Sequence, residues 1–203
     1  MKNLFSLYSL VKSTPMRNSN HTKIFHSLLC LCLVSITTIC ESQTITGEIV
    51  KSQFTNDWER AKAYTLEYLN AMPAEKYSFR ATDSTRSFAQ QMLHLAQGSI
   101  YLIVNATGQK PILLDRRLET IPTAQSKDSV VYFVTASYDF VIEGIKNLDA
   151  SKLGEKIKRA ADEREETRFA WIEKAFEHQT HHRGQTTIYI RLAGLRPPQE
   201  RLY

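Results

Sequence analysis

Glu177-His178-Gln179-Thr180-His181-His182-Arg183-Gly184-Gln185 places three of the chain's six histidines within five positions. The segment sits inside a longer stretch, Thr167 to Ala193, that is bounded by Gly194 and Pro197-Pro198, the residues that stop helices. Helical spacing therefore sets the geometry. His178 and His182 fall one turn apart on the same face, close enough for two imidazole nitrogens to converge on one metal ion. His181 lies about 100° round the helix from His182.

Three further segments have helical periodicity, and no segment has a convincing strand pattern. The first runs from about Asn56 to Met72, with Trp58, Ala61, Thr65, Tyr68, Leu69 and Met72 at three- and four-residue spacing. Asn56 is its expected cap, Glu59 completes a capping box, and Pro73 ends it. The second starts at Ser87, where Ser87-Phe88-Ala89-Gln90 forms another capping box, and stops at Gly108. Its stripe is Phe88, Met92, Leu95, Ser99, Leu102 and Ala106. The third spans Lys127 to Leu148, with Ser126 as cap and Val130, Val134, Tyr138, Val141, Ile145 and Leu148 facing inward. Four amphipathic helices predict an all-α fold, a four-helix bundle with long connecting loops.

Two of those loops differ in character. Residues 109–125 include Pro111, Ile112, Leu113, Leu114, Ile121 and Pro122, apolar enough to pack over the bundle as a lid or site wall. Residues 149–166 are densely charged, and predict a solvated face or a helical extension held by i, i+4 charge pairs.

The first 42 residues read as a targeting segment and residues 43–203 as the domain. Ser27 to Ile39 form an uncharged apolar run, preceded by Arg17 and Lys23 and followed by Cys40-Glu41-Ser42, the layout of a secretory signal. A run of about 13 residues is short for a bilayer span. Met16-Arg17 makes the more typical start of such a signal. Export, to the periplasm or the medium, is the expectation; Cys40 offers lipidation as the less favoured alternative, because Ile39 is bulkier than the residue that usually precedes a lipidated cysteine. Cleavage after Ser42 removes Cys30, Cys32 and Cys40, all the cysteines of the chain, and with them disulfides and thiolate ligands. It also removes Lys2, Lys12, Arg17, Lys23 and Glu41, lowering the net charge from +5 to about +2. Nucleic acid is not an indicated partner, and the mature protein has no expected membrane span.

A metal site needs a third protein ligand, and the mature chain has one further histidine. His94, in Gln91-Met92-Leu93-His94-Leu95-Ala96-Gln97, lies midway along the second helix. One ligand from that helix and a pair from the last is natural for a bundle. Three imidazoles with open positions form a catalytic pattern more than a closed structural one. Spacing alone also allows a hydrogen-bonded core histidine and a surface pair.

The histidine segment, followed by Tyr189-Ile190-Arg191-Leu192 and Gly194-Leu195-Arg196-Pro197-Pro198, resembles the C-terminal signature of the DinB-like family of four-helix-bundle metalloenzymes. Trp58-Glu59-Arg60 opening the first helix, Ser87-Phe88-Ala89 leading into Met92-Leu93-His94, and Tyr138-Asp139 in the third helix fit the same pattern. The resemblance covers nearly all of residues 54–198. It implies a divalent metal held by His94, His178 and His182, an unusual helix order and frequent homodimers. Zinc, nickel, iron and copper all suit three nitrogens. It further implies a metal-dependent enzyme acting on a small molecule, of transferase or hydrolase type, since related enzymes transfer low-molecular-weight thiols. Export weakens the thiol expectation and favours activated water. The alternative is a non-catalytic metal- or ligand-binding bundle with a stress-response role.

Neighbouring residues carry expectations of their own. Glu177 and Gln185 are candidates to orient the imidazoles. His181 is expected at the bundle surface, Arg183 in an exposed ion pair and Tyr189 in the core. Gly184, costly in mid-helix, suggests close packing against the backbone there. Glu177 precedes His178, so the H-E-x-x-H arrangement of a metalloprotease is absent.

Overall fold

The computed structural model describes residues 44–159 and 161–203; the targeting segment expected at residues 1–42 lies outside them. Among the described residues there are four long helices: α1 Gly47–Ala71, α2 Phe88–Thr107, α3 Lys127–Asn147 and α4 Arg168–Leu192. The protein is all-α, with one two-stranded hairpin, β1 Lys156–Lys158 against β2 Glu165–Thr167. No helix among the described residues is long and apolar enough to cross a membrane.

Capping chemistry sets most of the helix ends. Ser87 accepts from the Gln90 amide while the Gln90 side chain accepts from the Ser87 amide, a complete capping box. Gly108 closes α2 in the left-handed conformation at φ 72°. Ser126 caps α3 and Thr167 caps α4 through side-chain oxygens.

α1 departs from the expected start. It begins nine residues upstream of Asn56, at Gly47, where Thr46 Oγ1 accepts from the Ile49 amide at 3.3 Å. The apolar stripe continues backward from Trp58 through buried Phe54 to half-buried Val50, and burial of that stripe outweighs the cap offered at Asn56. Glu59, freed from a capping box, pairs instead with Lys146 of α3 at 2.6 Å.

The charged stretch between α3 and α4 is solvated, as expected, but it is neither helical nor a helical extension. It forms a short 3-10 turn at Ala150–Lys152 and then the hairpin, with an exposed ion pair Lys156–Glu165 between the strands and another from Lys158 to Glu163 in the connection before β2. Buried Leu153 anchors it, and the Trp171 indole donates to the Ile157 carbonyl at 3.3 Å.

α2 packs against both α3 and α4, and α1 packs chiefly against α3 and less against α4. α1 and α2, consecutive in the chain, therefore sit on the diagonal of the bundle. The core between them is filled by Trp58, Leu69, Met92, Leu95, Val134, Tyr138, Ile172 and Ile190, all buried. A polar belt crosses it. The Tyr138 hydroxyl donates to Gln179 Oε1 at 2.8 Å and meets Thr65 Oγ1 at 2.7 Å. Each buried polar atom in that belt thus has a partner, which fixes the register of α1, α3 and α4.

Candidate metal centre

The α2–α4 contact brings His94, His178 and His182 together. One nitrogen from each lies within 4.8 Å of the others, and the ring centroids are 4.4 to 5.4 Å apart. The one-turn spacing in α4 accounts for the pair; the lateral position of α2 supplies the third ring.

Room for the second ring comes from Gly98, one turn after His94. A Cβ added there would lie 2.1 Å from Cε1 of His178, so any side chain would collide with the imidazole. The close approach expected at Gly184 is absent: that position is exposed and a Cβ would meet nothing within 4 Å. The same principle holds at a different glycine.

Two glutamines border the third ring. His182 Nδ1 lies 2.7 Å from Gln91 Nε2 and 3.1 Å from Gln185 Oε1, and the two glutamines also bond each other. With Nδ1 protonated, Gln185 accepts its hydrogen and Nε2 is left as the ligand atom, while Gln91, whose Nε2 is a donor, bonds Gln185 Oε1 in place of the ring. Gln185 thus orients an imidazole as expected, while Glu177 is exposed and bonds none of the three rings. Gln91 is a contributor not singled out beforehand; its place three residues before His94, on a helix facing α4, was the available signal.

A second contributor comes from the loop before α3. Glu119 is buried, its carboxylate accepting from Arg86 Nε at 2.6 Å and Arg117 Nη2 at 2.5 Å, with Oε1 3.9 Å from His94 Nδ1. Burial pushes this carboxyl up, but the two guanidiniums outweigh it and hold it below the usual range. A carboxylate on that side of His94 favours a hydrogen on Nδ1 and so leaves Nε2 as donor to a metal. The loop is tied down by Gln97, whose amide bonds the Leu113 and Arg116 carbonyls and accepts from the Leu118 amide. Gln90 adds a bond to the Glu119 carbonyl at 3.0 Å. Of the apolar residues expected to pack over the bundle, Leu113, Leu114 and Ile121 are half-buried while Pro111 and Ile112 are exposed, and Leu114 lines the cleft beside His94 and His178 together with Glu119.

The rings favour the neutral state that metal binding requires. Burial, then the neighbouring His94 and His181, lowers His178 to about 4; burial, then His178 and His94, lowers His182 to about 3. His94 is lowered by burial and by Arg86. His178 Nδ1 is buried with no hydrogen-bond partner, a condition costing about 1–3 kcal/mol unless something else occupies the nitrogen. Three neutral imidazoles, convergent nitrogens and one orphaned ring atom fit a divalent cation.

The remaining neighbours sort by face. His181 is exposed and bonds Gln185. Tyr189 is buried, its hydroxyl donating to the Arg86 carbonyl at 2.9 Å. Arg183 corrects the expectation of an exposed ion pair: it is buried, donates to Gln179 Oε1 at 3.1 Å and stacks 4.6 Å from the Tyr64 ring centroid. An aromatic face and an amide oxygen take the place of a carboxylate there.

Two cavities flank the centre. One of about 840 Å³ reaches His182 past Arg80, Arg86 and Gln185. The other, about 680 Å³, reaches His94 and His178 past Tyr101, Leu102 and Leu114. Arg86, Glu119 and Arg117 line both.

A four-helix protein with diagonal first and second helices carries here a three-histidine centre, open to two clefts, that could hold a metal ion. The chain belongs to the DinB family, whose pattern it matches over residues 42–202. It is similar in fold to a DinB-like protein from Bacillus cereus ATCC 10987, with a TM-score of 0.63 and 20% identity over 73% of this chain and 95% of that one. A DinB-like protein from Bacillus subtilis gives a TM-score of 0.55 at 16% identity, covering 74% and 96%. A conserved protein from Enterococcus faecalis gives 0.57 at 15%, covering 73% and 98%. No curated protein matches the chain.

Proposed function

We propose that this DinB-family protein is an exported, divalent-metal-dependent enzyme of hydrolase or transferase type acting on a small molecule. The observation that carries the proposal is the set of three imidazoles, one each at His94, His178 and His182, converging beside two open clefts. A divalent ion held by those rings supplies Lewis acidity, which lowers the pKa of a water or thiol brought against it.

The chain's own residues perform the rest. Gln185, itself held by Gln91, orients the His182 ring, the Glu119 charge favours the His94 tautomer with its hydrogen on Nδ1, and Gly98 lets His178 approach α2. The described cluster contains three ligand atoms and no fourth to seal it, which favours catalysis over a storage or structural role.

Metal analysis of protein purified without a histidine tag, paired with hydrolysis of nitrophenyl esters and thiol conjugation of an activated aryl chloride, tests the proposal. Stoichiometric metal and turnover abolished by chelator are expected. Full metal with no metal-dependent turnover in either assay favours the non-catalytic alternative; no metal in wild type removes both. N-terminal sequencing of secreted protein checks export, with a start near Gln43 expected.

A further inference from the structure

We infer that the centre takes an amphiphilic anion, its carboxylate or phosphate group held by the Arg86–Arg117 wall and its apolar body lying along Tyr101, Leu102 and Leu114. This rests on the site being a small-molecule centre and names the ligand class for it.

Charge at the wall is the first ground. One carboxylate, Glu119, is shared by two guanidiniums, Arg86 and Arg117, which leaves a positive charge uncompensated. Arg116 and Asp115 pair with each other at 3.2 Å and cancel. The Arg117 side chain is 73% exposed, so N–H donors beyond the one given to Glu119 remain available. A guanidinium presents those donors in a planar fork that matches carboxylate and phosphate oxygens. Because this wall borders both cavities, an anion bound there lies in the cleft that His94 and His178 line or in the one that His182 lines.

Polarity of the second cleft is the other ground. On the His94 and His178 side the apolar part of the wall is Tyr101, Leu102 and Leu114, opposite the arginines, with Gly98 contributing no side chain. Tyr101 is 41% exposed; the Arg159 guanidinium lies 5.5 Å from its ring centroid, and part of the ring faces the cleft. A wholly polar ligand would leave that surface wet, and a cationic one would oppose the excess arginine charge. An apolar body with an anionic end satisfies both walls at once.

Calorimetric titration of the zinc-loaded protein with octanoate, octyl phosphate, octanol and octylamine tests this, with metal content measured in the same samples. At least one of the two anions is expected to bind tenfold or more tightly than octanol, which of them distinguishing carboxylate from phosphate recognition, and octylamine is expected not to bind. Arg117→Gln is expected to reduce that preference below threefold with metal content unchanged, and Leu114→Asp to weaken the anion and octanol alike at least tenfold. The arginines remain in metal-free protein, so the preference is expected there too; absence of metal would defeat the metalloenzyme proposal and leave this one measurable. Equal affinity for anions and octanol, no binding by any probe, or an anion preference that needs metal and ignores Arg117→Gln would overturn it.

Discussion

Gly98 of α2 and His178 of α4 are in such close register that a single methyl on the glycine would lie 2.1 Å from the imidazole. The atom in the way is the movable end of a side chain, so the ring, not the backbone, would yield. Gly98→Ala is therefore expected to fold normally, helped by roughly 1 kcal/mol of helix propensity. Its metal affinity is expected to fall by roughly 10–100-fold, as when a ligand's support is disturbed. Thermal melts of the metal-free variant alongside competitive zinc titration check both halves. Unchanged affinity would mean that His178 is not a ligand.

Removing the metal should cost stability by mass action. At zinc concentrations near one hundred times Kd, binding contributes about 2.7 kcal/mol, and chelation should lower Tm by roughly 5–10 °C for a domain of this size. His182→Ala should melt at one temperature with or without zinc. Calorimetric scans of both proteins in chelator and in excess metal give the comparison.

The metal-free protein should weaken in acid over a defined window. His178 at about 4 and His182 at about 3 both lie below the ordinary histidine value near 6.5. The unfolded chain therefore takes up protons first as pH falls, so stability is flat above about 6.5 and declines toward pH 4 and then 3. Urea midpoints measured between pH 8 and 4 should show the decline. A His178→Asn, His182→Asn double variant should flatten it, and an unaltered slope would show that other groups cause it.

Glu119 should matter to the metal and not only to its loop. In Glu119→Gln the amide keeps the shape but loses the charge facing His94 and between the two arginines. Zinc affinity is expected to fall by roughly 10–100-fold, more than in Glu177→Gln, whose side chain is exposed. Equal effects of the two substitutions would remove Glu119 from the centre.

Arg183 offers a control on the other face of α4. It lies between Gln179 and the Tyr64 ring, and Arg183→Ala leaves a cavity and takes away one of the two donors to Gln179 Oε1, the Tyr138 hydroxyl keeping the other. A loss of about 2–4 kcal/mol is expected, with metal stoichiometry unchanged. Denaturant unfolding and metal analysis of one preparation decide it.

Helix identity and the metal candidates were legible in the residues because both obey local periodicity. A bundle helix must bury one stripe, so Val130, Val134, Tyr138, Val141 and Ile145 announced α3, and all five are buried. The one-turn spacing of His178 and His182 is fixed by helix pitch wherever the helix packs. Serine caps at Ser87 and Ser126 were equally local. The start of α1 was not, because Phe54 and Val50 gain a helical conformation from the neighbours they bury against, while Asn56 looked like a sufficient cap.

What the tertiary structure alone decided was which side chains meet across gaps in sequence. Nothing local says that α1 and α2 lie on a diagonal, that Glu119 returns to within 3.9 Å of His94, or that Gly98 rather than Gly184 is the glycine with a ring against it. Arg183 read as a surface cation for the same reason: Gln179 is one turn away on its own helix, but Tyr64 becomes visible only when α1 is laid beside α4. Periodicity determines which face of a helix is covered. The path of the connecting loops and the packing of whole helices determine what covers it, and that is where the wall beside the three histidines is made.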